Sequence, residues 1–184
     1  MTSQPHPITP DLDTLTGLFY GSREELGEFT EVTPEELPEI PRKLLAHNAH
    51  MTVTVEEFHG SPVNVRVLEK LVTPQHYARK ILLERQSDGR VVQYGIMRVN
   101  LQYLSPEVAK EIESEATPLG RILIQHNVLR RVQLCSLWRV EMGAELRRLF
   151  GADGQKVAYG RTALIDCNEE PAVELIEIVT PLDS

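Results

Sequence analysis

Basic residues are in deficit in this 184-residue chain. It carries 19 Lys and Arg against 27 Asp and Glu, a formal net charge of −8. Nucleic-acid binding needs a basic stripe to meet phosphates, so a general nucleic-acid partner is excluded. Docking on an anionic membrane surface is excluded on the same ground. An anionic small molecule remains compatible if positive charge is concentrated in one pocket. Cysteine is scarce: Cys135 and Cys167 are too few for a disulfide framework and read as buried free thiols. No apolar run approaches the roughly 18 residues of a membrane span. Met1 to Pro10 is polar and proline-rich, without a charged-then-apolar leader pattern, so the chain reads as cytoplasmic. There is no Gly-rich phosphate loop and no GxSxG. The six histidines show no zinc spacing, and His47 and His50, three apart, have nothing nearby to complete a site. Neither a metal nor a cofactor is expected.

What is present is an ordinary globular composition, 41% apolar and 25% charged, over a length that suits one domain. Leu12, Leu15, Leu18 and Phe19 recur at helical spacing. Residues 31–41 are acidic, carry three prolines and read as a loop, with Pro41 opening a second helix. Residues 51–59 fit either a strand, through Met51, Val53 and Val55, or a helical face, through Met51, Val55 and Phe58. Gly60 at the end favours the helix. From 62 onward the pattern alternates as strands do, and Ser87-Asp88-Gly89-Arg90 marks a hairpin turn between runs at 75–85 and 91–101. Ser105-Pro106-Glu107 and Thr117-Pro118 open helices. Strand-like residues resume at 128–141, a short helix fits 143–150, and a closing hairpin turns at 167–170. Consecutive hairpins with inserted helices predict an α+β fold. It has one antiparallel sheet of about six strands, with helices covering one face. Residues 1–49 form a lead-in with short helices and 50–184 the main domain.

Three features can carry chemistry. Alternation puts Arg79 on the same strand face as Tyr77, Ile81 and Leu83, where a guanidinium requires an anionic partner or an escape route to solvent. In Thr117-Pro118-Leu119-Gly120-Arg121, Pro118 at the first helical position leaves the amides of Leu119 and Gly120 free at a helix start, with Thr117 able to cap one of them. Glu177 shares a face with Val173, Leu175 and Val179, an apolar setting for a carboxylate, or one in which it pairs with Arg79. Together these suit a small aromatic or alicyclic carboxylate.

The sequence resembles the chorismate pyruvate-lyase (4-hydroxybenzoate synthase) family. The resemblance rests on His50-Met51, the Arg-bearing run Tyr77 to Leu83, the Asp88-Gly89 turn, the string Thr117 to Arg121, and the terminal run Pro171 to Pro181. It covers about 50–182. It implies a cofactor-free lyase that splits chorismate into 4-hydroxybenzoate and pyruvate, with the ligand buried under helical flaps. Arg79 and Glu177 would be its catalytic residues. Arg79 and the Leu119 amide would hold the ring carboxylate, Glu177 would sit near the hydroxyl for proton transfer, and Met51 and Gly120 would line the pocket. Glu174 is the alternative to Glu177 but has the opposite parity. The arginines of 128–150 and the first 49 residues have no counterpart in the resemblance. Two other functions stay open. One is a non-catalytic module for small aromatic carboxylates, of the related effector-domain fold of transcription regulators. The other is a chorismate-cleaving enzyme with another hydroxybenzoate as product.

Overall fold

The computed structural model describes residues 9–182. Its frame is one seven-stranded antiparallel sheet, one strand more than the alternation indicates. In chain order the strands are β1 (Gly27–Val32), β2 (Val63–Val72), β3 (His76–Arg85), β4 (Val91–Asn100), β5 (Arg130–Met142), β6 (Val157–Cys167) and β7 (Glu170–Val179). Across the sheet they run β1-β5-β6-β7-β4-β3-β2. The additional strand is β1, whose last two residues fall in the run 31–41 read as a loop and whose first four carry no reading in the sequence. The six helices are α1 (Leu12–Thr16), α2 (Glu39–Leu45), α3 (Met51–His59), α4 (Pro106–Glu113), α5 (Leu119–Gln125) and α6 (Ala144–Phe150).

Local chemistry explains most boundaries. α3 resolves the ambiguity of 51–59 in favour of the helix, and Gly60 closes it at φ +59°, a left-handed position that costs glycine little. Ser105 caps α4 through a bond from the Val108 amide, with Pro106 next in line. The β6–β7 turn places Asn168 and Glu169 both at positive φ, as a two-residue hairpin of matching twist demands. α2 starts two residues before Pro41. Proline is tolerated there because a first-turn amide has no intrahelical partner to lose.

Both faces of the sheet are covered. On one, α1 and α6 bury Leu12, Leu15, Leu146 and Phe150 against Leu82, Tyr94, Ile176 and Ile178. On the other, α4 and α5 bury Val108, Ile112, Ile122 and Leu123 against Tyr77, Met97, Val99 and Val173. Beside them, α2 and α3 close over Ile81, Leu83 and Val179. This second face, under α2 to α5, contains the polar side chains that matter below.

Candidate functional site

Between the sheet and the starts of α3 and α5 lies a cavity of about 50 Å³. One water takes roughly 10–15 Å³ by the same measure, so the space suits a slim small molecule. Its floor is a row of inward residues on the central strands: Arg79, Gln93, Gly95, Met97, Arg161 and Glu177. Its roof is His50, Met51 and Thr52 on one side and Pro118, Leu119 and Gly120 on the other.

Register explains the floor. Glu177 on β7 is flanked by Arg161 on β6 and Gly95 on β4. Gly95 in turn faces Ile81 on β3. A side chain at Gly95 would enter the cavity; a Cβ there meets nothing closer than 3.4 Å. The roof is tight in a different way. A Cβ on Gly120 would stand 3.2 Å from both His50 Cβ and Thr52 Oγ1. Glycine is what lets the two helix starts close over the space. Arg121 of α5 is salt-bridged to Glu56 of α3, which holds the pair together.

Charge is distributed unevenly along this floor. Arg161, 1% exposed, is fully engaged: Nε donates to Glu177 Oε2 at 2.7 Å, and its two terminal nitrogens donate to the carbonyls of His47 and Ala49 at 2.9 and 3.0 Å. It thereby ties the chain entering α3 to the sheet. Arg79 is equally buried but, among the described residues, has no carboxylate within salt-bridge distance. Its terminal nitrogens donate to the carbonyls of Ile112 and Thr117, each at 3.4 Å, the Tyr77 hydroxyl, itself bound to Glu115, lies beside it, and its Nε donates to no described protein group. Burial lowers its pKa, with Tyr77 and Glu115 opposing; a guanidinium nevertheless keeps its charge. Two guanidiniums and one carboxylate leave the cavity lining one positive charge in excess. His50 adds none. Burial foremost, then Arg130 and Arg161, push its pKa down to about 4. Arg130 Nε donates to His50 Nε2 at 2.8 Å, which places the ring proton on Nδ1.

All five residues singled out in the sequence, Met51, Arg79, Leu119, Gly120 and Glu177, line this one cavity. Parity places Glu174 on the opposite face, where it pairs with Arg98 at 2.6 Å. Some local details differ. Pro118 is the N-cap of α5 rather than its first residue, and no side chain caps that helix. Thr117 presents its carbonyl to Arg79 instead of its hydroxyl to the helix. Glu177 pairs with Arg161, not with Arg79. Arg161, Gln93 and His50 were not singled out. The first two were findable by the rule that found Arg79. Arg161 alternates with Tyr159, Ala163 and Ile165, and Gln93 with Gly95, Met97 and Val99.

No family model and no curated protein matches the chain. Solved structures of similar fold include PhnF from Mycobacterium smegmatis, with TM-score 0.54 and 12% identity over 72% of this chain and 64% of that one. The effector domain of the same PhnF gives TM-score 0.53 and 11% identity over 72% and 88%. The possible transcriptional regulator YydK from Bacillus subtilis gives 0.48 and 13% over 94% and 86%. This chain thus spans just under two thirds of the PhnF chain it matches. The likeness to PhnF is one of fold. It overturns the expectation of a chorismate pyruvate-lyase with chorismate as substrate: the fold matched is that of PhnF and of its effector domain.

Proposed function

We propose that the chain is a non-catalytic ligand-binding module of the effector-domain kind, whose ligand is a small carboxylate with an apolar body. The observation that carries this reading is Arg79, a fully buried guanidinium with no carboxylate partner, on the wall of a cavity. An unpaired buried charge is costly, and an anion entering the cavity would offset that cost. The starts of α3 and α5 add partial positive charge on the same side. Leu119 and Gly120 supply amides there, Met51 supplies a flexible apolar wall, and Glu177 fixes Arg161. Met97 offers a second adaptable wall, so the cavity can widen for a bulkier ligand.

The test is calorimetry with benzoate and hexanoate beside their neutral amides, benzamide and hexanamide. The acids should bind and the amides should not. Arg79→Gln should weaken the acids by about 30-fold or more, as expected for a charge-assisted bond in a desolvated site. Equal binding of acids and amides, or unchanged affinity in Arg79→Gln, would show that the cavity does not select for an anion.

A further inference from the structure

Three buried side-chain polar atoms among the described residues lack any protein partner, and two of them line the cavity: Arg79 Nε and Gln93 Oε1. The third, Thr180 Oγ1, lies elsewhere. Arg79 is accounted for by an anion. Gln93 is not. It is 3% exposed, and its register neighbours are Leu83 on β3 and Val179 on β7, neither of which offers a side-chain hydrogen bond. Among the donors on the floor, Arg161 already donates to Glu177 and to the carbonyls of His47 and Ala49. On the same face of β4 stand Gly95, Met97 and Val99, so an apolar residue would suit this position without leaving an amide unpaired.

Gln93 and Arg79 also lie at opposite ends of the cavity. Arg79 stands across from Met97, four residues along β4 from Gln93. That is about 13 Å of strand, which two long side chains reaching inward shorten to the span of a small molecule.

We propose that Gln93 is a specificity-determining residue: it selects a carboxylate whose far end carries a hydroxyl or a similar hydrogen-bond donor. This rests on the reading of the cavity as an anion site and adds the chemistry of the ligand's other end. One end of the ligand meets Arg79. The other donates to Gln93 Oε1. The apolar body lies between them, over Gly95 and beside Met97.

The test uses two acids of equal size, hexanoate and 5-hydroxypentanoate, which differ by a terminal methyl against a hydroxyl. The wild-type chain should bind the hydroxy acid about tenfold or more tighter, since a buried acceptor left unpaired penalises the methyl analogue. Gln93→Leu should abolish or reverse that preference. Without ligand, Gln93→Leu should also melt about 3–6 °C higher than the wild type, because an unpaired buried amide is removed. Equal affinity of the two acids for the wild type would overturn the role of Gln93 and leave the anion site standing. So would a preference that survives in Gln93→Leu. A lower melting temperature in the variant would assign Gln93 a structural bond and overturn the proposal too. If neither chain acid binds, the proposal falls. The Arg79-dependence of benzoate binding then decides the anion site separately.

Discussion

Arg79 and Arg161 are chemically identical and equally buried, yet their surroundings give them different roles. Arg161 is saturated by one carboxylate and two carbonyls and acts as a tie. Arg79 has two long bonds to neutral carbonyls and a free Nε, and it is the group with capacity to spare. Alternation in the sequence reveals that a charge faces the core; it does not reveal which partner, if any, meets it there. That is why Arg79 and Glu177 were legible as inward residues while their pairing was not. The closing hairpin puts Arg161 and Glu177 on neighbouring strands, but the bulge at Ile165/Asp166 that sets the two opposite each other leaves no mark in the sequence. His50 adds a pH-dependence. Its folded pKa, about 4, lies below the unfolded value near 6.5. The unfolded chain therefore binds the extra proton between those values. The stability that His50 contributes is complete above pH 6.5 and is lost as pH falls toward 4. His50→Gln, which keeps an acceptor for Arg130 but cannot titrate, should flatten part of the decline in melting temperature over that window. An unchanged pH profile in the variant would mean that His50 titrates normally.

At the scale of elements, the site is made where two helix starts meet a sheet. Its shape depends on two glycines used in opposite ways. Gly120 permits a close approach, and a side chain there would press on His50 and Thr52. Gly95 keeps a floor open, and a side chain there would meet only ordinary contacts. Gly95→Ala should therefore leave the melting temperature within about 2 °C while weakening benzoate by about tenfold, since one methyl takes up much of a small cavity. A large loss of stability would show instead that the backbone at Gly95 is packed, with no room above it. Elements with strong local signals were read well: the Ser105-Pro106-Glu107 start, the 87–90 turn and the helix closed by Gly60. β1 was missed for a physical reason. It is an edge strand whose single hydrogen-bonded neighbour is β5, and only Gly27 of its six residues is buried. Its sequence, Gly-Glu-Phe-Thr-Glu-Val, carries little of the hydrophobic alternation that marks an inner strand.

At the scale of the whole molecule, the net charge of −8 and the interior of the cavity have opposite signs. Acidic residues lie mostly outside, as solvated or surface-paired groups such as Glu39 with Lys43 and Glu141 with Arg139. The positive excess is confined to a few side chains under the helical roof. Composition could exclude polyanions from the surface, but the interior charge emerges only when distant segments, 50–52, 79, 118–120, 161 and 177, are brought to one place. The fold class was legible because hairpins and inserted helices are local. Function was not, because one fold can host unrelated functions, and the choice depends on what each buried charge touches. The most direct test of the account is therefore at Arg79 itself: observing arginine Nε–H resonances by 15N NMR while benzoate is added. The Arg79 Nε–H signal, without a protein acceptor beforehand, should move saturably downfield as the carboxylate arrives, while that of Arg161, already bound to Glu177, should shift far less. A titration that leaves Arg79 in place, or that moves only exposed arginines such as Arg66 and Arg90, would contradict it.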